Sequence, residues 1–102
     1  MAITNRVPVP VDQIEAFCRK WQIVELALFG SVLRDDFRPD SDVDVLATFA
    51  PDARVSLWDW GPMLDELRAI FRRDVDLVEK AALRNPFRRR HILNSYRVIY
   101  AA

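Results

Sequence analysis

Four aspartates in two short segments carry the groups most able to do chemistry. Asp42 and Asp44 alternate in Asp42-Val43-Asp44-Val45-Leu46, at the head of a run that is otherwise apolar and largely β-branched. In a strand, residues i and i+2 face the same way. At a rise of about 3.3 Å per residue, their Cα atoms stand about 6.6 Å apart. Paired catalytic metals sit about 3.5–4 Å apart, so two carboxylates at that spacing can reach hard cations. The competing account is a solvated strand face that happens to be acidic, although Asp is disfavoured in strands. The pattern returns in Asp74-Val75-Asp76-Leu77-Val78. If that segment lies beside the first, one of its acids joins the same site. Three carboxylates without a His or Cys cluster suit Mg²⁺ rather than zinc.

A further pair, Gly30-Ser31, closes the apolar run Ile23–Phe29. Glycine lets a ligand approach the backbone closely. A chain turning from strand into helix offers free N–H groups, which favour an anion such as phosphate. Alone, Gly-Ser after a strand is an ordinary turn. Beside a three-carboxylate Mg²⁺ site, it describes a centre for phosphoryl or nucleotidyl transfer.

These residues need elements to hold them. The leader Val7-Pro8-Val9-Pro10 cannot stay helical, because each Pro restricts the residue before it. Asp12 reads as an N-cap with Glu15 completing a capping box. Ile14, Phe17, Cys18 and Trp21 then fall at i, i+3, i+4 and i+7, which predicts an amphipathic helix over 12–21. Ile23–Phe29 reads as a strand, Ser31–Arg34 as about one helical turn, and Arg38-Pro39-Asp40-Ser41 as turn chemistry. Asp42–Phe49 reads as a second strand, ended by Ala50-Pro51-Asp52.

A helix is expected over Leu57–Arg72. Trp60, Leu64, Leu67 and Phe71 form its stripe, with Met63 and Ile70 beside it. Gly61-Pro62 is a candidate for its true first turn. Asp74–Val78 reads as a third strand. Asn85-Pro86 opens a last helix to about Asn94, with Phe87 and Ile92 as core candidates, and Arg97–Tyr100 reads as a terminal strand. The alternation gives an α/β (α+β) class, with a small mixed sheet flanked by helices.

The bulk numbers agree with one small globular domain over 1–102. The chain has 102 residues, half of them hydrophobic, with 15 basic and 15 acidic side chains and no formal net charge. No global field therefore points to nucleic acid or a membrane. The single cysteine, Cys18, allows no disulfide framework and fits a reducing cytoplasm. No apolar segment near the N-terminus reads as a signal peptide. No apolar run approaches the roughly 20 residues that span a bilayer. The basic run Arg88-Arg89-Arg90-His91 reads as a solvated helix face before it reads as an RNA or acidic-partner contact. Cys18 reads as core. Of Trp58 and Trp60, one is a candidate exposed anchor for a partner.

Gly30-Ser31, ten residues, then Asp42-Val43-Asp44 resembles the signature of the nucleotidyltransferase superfamily related to DNA polymerase β. The small size resembles its minimal nucleotidyltransferases (MNT), which are often encoded beside a HEPN-domain protein as the antitoxin of a toxin–antitoxin pair. The segments around Asp76 and at the C-terminal end, RRDVDLVEKAAL and RRHILNSYRVIY, extend the resemblance over nearly the whole chain.

The resemblance implies a nucleotidyltransferase fold and a role for each residue. Gly30 and Ser31 would hold the triphosphate of a nucleotide, and Asp42 and Asp44 would bind two Mg²⁺ ions. Asp76, rather than Asp74, would be the third carboxylate, also metal-binding, and would help activate the acceptor hydroxyl. Arg34 would contact phosphate or anchor the acidic loop. The implied reaction moves AMP from ATP to a tyrosine of a HEPN-domain toxin and releases pyrophosphate. The implied setting is a cytoplasmic hetero-oligomer with the toxin, with no membrane and no nucleic acid as direct substrate. In this reading the partner supplies the surface that larger members build from an extra helical domain. The alternatives are a non-catalytic antitoxin that neutralises its toxin by binding, and a nucleotide-binding regulatory subunit.

Overall fold

The computed structural model describes residues 2–3, 8–30, 41–83, 85–93 and 96–102. Ala2–Ile3 (β1) and Pro8–Val9 (β2) pair antiparallel. Strands of two residues carry no readable periodicity, and the sequence predicts only a non-helical leader here. Val11–Lys20 (α1) follows, then Ile23–Phe29 (β3) and Val43–Phe49 (β4). The expected turns at Ser31–Arg34 and 38–40 lie outside the described residues. Leu57–Phe71 (α2), Val75–Glu79 (β5), Pro86–Leu93 (α3) and Tyr96–Ala101 (β6) complete the chain. The main sheet runs β5-β4-β3-β6. β3 is antiparallel to both β4 and β6, whereas β4 and β5 are parallel. The mixed sheet expected from the sequence is present.

Both faces of this sheet are covered, which explains why β3 is a near-continuous apolar run. On one face, Leu26, Leu28, Val43, Val45, Val75 and Leu77 pack with Ile14, Phe17 and Cys18 of α1 and Met63, Leu67 and Phe71 of α2. On the other, Ala27, Phe29 and Leu46 meet Leu83 and Ile92 of the C-terminal segment. Glu66 joins the two helices of the first layer. Its carboxylate accepts from Lys20 Nζ and from Trp21 Nε1, each at 2.9 Å.

Three local expectations are corrected. The N-cap of α1 is Pro10, with no side-chain cap bond, so Asp12 sits in the first turn. Glu15 instead pairs with Arg19 one turn on, an i,i+4 contact that competes for the carboxylate a capping box would use. α2 begins at Leu57 and not at Gly61-Pro62, because the Ser56 N–H donates to the Asp59 carboxylate at 2.9 Å and caps the start. Pro62 therefore lies inside the helix, with no N–H to donate to the carbonyl one turn back. Phe87, expected in the core, is 84% exposed. α3 begins where Asn85 Oδ1 accepts from the N–H groups of Phe87 and Arg88, and among its residues only Ile92 is buried.

Gly61 has open space where a side chain would start. Glycine inside a helix costs about 0.5–1 kcal/mol relative to alanine. Gly61→Ala is therefore expected to raise stability by about 0.5–1 kcal/mol, read as a higher urea midpoint at unchanged slope.

Cys18 is fully buried, and burial pushes its thiol up to about 12. In the unfolded chain it titrates near about 8.5. The stability this group contributes is complete below that value and is lost as pH rises towards 12. At pH 8 the native thiol is expected to resist a disulfide reagent such as DTNB and to react only as guanidinium unfolds the chain. Rapid labelling of native protein would contradict a buried thiol.

Candidate active site

Strand register decides which acids meet. Asp44 and Asp76 are direct partners across the parallel β4–β5 pair, and their neighbours Val43↔Val75 and Val45↔Leu77 are partners too. Paired residues share a face. Val43, Val45, Val75 and Leu77 point into the helix-covered core, so Asp44 and Asp76 project from the opposite face. Adjacent strands lie about 4.8 Å apart. Like charges directly opposite on adjacent strands are unfavourable, and a bound cation would relieve that repulsion.

Gly30 completes the geometry from the other side. Phe29 is the partner of Asp44 across β3–β4, so Gly30 stands next to that carboxylate. Its φ is +73°, in the left-handed region that favours glycine. A Cβ added there would lie 2.2 Å from Asp44 Oδ2. The missing side chain is the space the carboxylate occupies. Glycine is needed here twice, for the turn and for the approach.

Asp42 is exposed and lies just ahead of β4, which begins one residue later than the expected start at Asp42. The Val43 N–H donates to the Asp74 carbonyl at 2.9 Å and fixes where the two parallel strands begin. The Asp74 side chain turns away, 3.8 Å from Arg68 Nε on α2. Asp76 rather than Asp74 thus stands opposite Asp44. Ser31 and Arg34 lie outside the described residues. Gly30, Asp44 and Asp76 come together, with Asp42 at the lead-in. Among the described residues, no group of three His, Cys, Asp or Glu is placed to hold a metal ion. The donors are all hard carboxylate oxygens, and the Asp44 carboxylate fills the space that a side chain at Gly30 would take; this donor chemistry fits Mg²⁺.

At the far end of β4 and β5 is a cavity of about 250 Å³, lined by Phe49, Val55, Leu57, Trp60 and Glu79 among others. Trp60 packs there against Phe49, at 6.4 Å between ring centroids. Trp58 is 90% exposed. Of the two tryptophans, the exposed one is therefore Trp58. No described helix is long and apolar enough to cross a membrane.

A family profile described as nucleotidyltransferase domain matches residues 12–99. The chain belongs to this family. As a nucleotidyltransferase, it is an enzyme, as the Gly30-Ser31 and Asp42-Val43-Asp44 resemblance implied. A protein of Methanocaldococcus jannaschii, provisionally named a protein adenylyltransferase, is 33% identical over 75 residues, covering 72% of each chain. A solved structure provisionally assigned as a minimal nucleotidyltransferase is 28% identical, with a TM-score of 0.67, covering 84% of this chain and 85% of that one. A third likeness is to a chain of a tri-AMPylated Shewanella oneidensis HEPN toxin in complex with its MNT antitoxin. Its TM-score is 0.63 at 17% identity, covering 90% of this nucleotidyltransferase and 70% of that chain, a likeness of fold.

Proposed function

We propose that this nucleotidyltransferase is a minimal, single-domain antitoxin that transfers AMP from ATP to a tyrosine hydroxyl of a HEPN-domain toxin, in a cytoplasmic complex with that toxin. The observation that carries the reading is the register of Asp44 against Asp76 with Gly30 beside them. Two acids are paired across two strands, next to a glycine whose missing side chain gives the Asp44 carboxylate its place. The relatives' names support the donor and the partner: one is called a protein adenylyltransferase, and another is solved as an MNT antitoxin with its AMPylated HEPN toxin.

Asp42, Asp44 and Asp76 would hold two Mg²⁺ ions. Bound there, the ions neutralise triphosphate charge and make the acceptor hydroxyl easier to ionise. Gly30 and Ser31 hold the triphosphate through backbone N–H groups and the Ser31 hydroxyl, with Arg34 as a further phosphate contact. Asp76 helps draw the proton from the acceptor hydroxyl. The hydroxyl oxygen forms its bond to the α-phosphorus as the bond to the β-phosphate oxygen breaks, and pyrophosphate leaves.

The test incubates the protein with labelled ATP, Mg²⁺ and a HEPN-domain protein. The expected result is label on a tyrosine of the partner, absent with Asp42→Ala/Asp44→Ala. If both forms neutralise the toxin without any label moving, the chain acts by binding and the catalytic reading fails.

A further inference from the structure

We propose that Arg73 is a positioning residue that fixes Asp42 and Asp44 relative to Asp76, acting through the Ser41 carbonyl. The proposal rests on the reading of these carboxylates as one cation site. Arg73 is half-buried, and its Nη1 donates to the Ser41 carbonyl at 3.3 Å. Ser41 directly precedes Asp42, and Arg73 directly precedes Asp74. Two residues after Ser41 and one after Arg73, the Val43 N–H donates to the Asp74 carbonyl. Asp42 lies between the two bonded residues, so its backbone is pinned on both sides.

The turn that aims Arg73 is itself built for the purpose. Arg72 sits at φ 58°, ψ 38° and its N–H bonds back to the Arg68 carbonyl at 2.7 Å, closing α2. A left-handed residue ends a helix sharply, and here it does so without glycine. The chain then leaves α2 with Arg73 beside Ser41. A guanidinium suits this task better than an ammonium, because its rigid fork loses less freedom for each bond made. Groups that orient carboxylate ligands commonly change metal affinity about 10–100-fold when removed.

The test compares wild type with Arg73→Met, which keeps the stem and loses the donor, and Arg73→Lys, which keeps a charged donor. Three readouts are taken: amide exchange at Val43, binding of Mn²⁺ alone followed by electron paramagnetic resonance, and melting temperature. Arg73→Met is expected to speed exchange at Val43 about tenfold and weaken Mn²⁺ about tenfold, with Lys between the two. In transfer assays, kcat should fall while KM for ATP changes by less than about twofold, since the triphosphate is held at Gly30-Ser31. Exchange and Mn²⁺ affinity equal to wild type would overturn the proposal. So would faster exchange at every amide together with a large drop in melting temperature, the mark of a merely structural role. Should wild type bind no Mn²⁺, the cation reading of the site fails, while exchange at Val43 still decides whether Arg73 ties the strands. If Arg73→Met does not fold, Arg73→Gln and Arg73→Lys carry the same comparison.

Discussion

Asp44→Asn is expected to lower AMP transfer on the order of 10³-fold with the fold intact, the loss typical of removing one group that stabilises transition-state charge. The substitution keeps the shape of the side chain and removes its charge. Asp44 is central because it pairs across both neighbouring strands. Asp76 is its partner on one side, and Phe29, next to Gly30, on the other. Its exposure is intermediate, so the isosteric change creates no cavity and melting in metal-free buffer should stay within a few degrees. The discriminating readout is ligand stabilisation. Wild type should gain melting temperature with Mg²⁺ and a non-hydrolysable ATP analogue, since a ligand that binds only the native state stabilises it. The variant should lose most of that gain. Wild-type rates in the variant would remove Asp44 from the machinery, and a collapsed melt would make its role structural.

Gly30→Ala should damage stability and activity together. A left-handed φ costs an L-residue with a side chain about 1–2 kcal/mol. In addition, the new Cβ would lie 2.2 Å from Asp44 Oδ2 and 3.1 Å from its Cγ. The first contact cannot stand, so the carboxylate must swing away from its place opposite Asp76. A misplacement of about 1 Å at a reacting centre can cost about 10²-fold in rate. The expected outcome is about 1–3 kcal/mol of destabilisation with transfer reduced on the order of 10²-fold. Gly61→Ala is the internal control, because the chain has only these two glycines and the second is free to accept a methyl group. If both variants behave alike, the crowding at Gly30 is not what shapes the site.

Much of this was legible from side-chain patterning. Ile23–Phe29 ends where Gly30 interrupts an apolar run, and the strand has those limits. Alternation placed Asp44 and Asp76 opposite the valines and leucines, and the burial of Val43, Val45, Val75 and Leu77 agrees. The adjacency of the two acidic strands was only conditional, because pairing is a tertiary property and no local pattern encodes it. The register that turns Asp76 towards Asp44 and leaves Asp74 to Arg68 is a tertiary property as well. Glu15 had two local partners within reach, a backbone N–H and Arg19, and composition could not rank them. Phe87 misled because α3 is short and buries a single residue, so an aromatic side chain on its outer side has nothing to pack against. The tie from Arg73 to Ser41 had no signal at all, since an Arg doublet after a helix reads as solvated charge.

The parallel pairing of β4 with β5 also sets when the site can exist. The chain cannot pass from Asp44 to Asp76 by a tight turn; it must first form α2 and lay it across the sheet. Antiparallel β3 and β4 bring Gly30 beside Asp44 through a more local closure, whereas the non-local parallel contact is intrinsically slower to form. During folding, the chain thus places Gly30 beside Asp44 before Asp76 joins them. A molecule in which β4 and β5 have not paired has Asp44 without Asp76 opposite it. Competence arrives with the β4–β5 pairing, so turnover is itself a report that this parallel pair has closed.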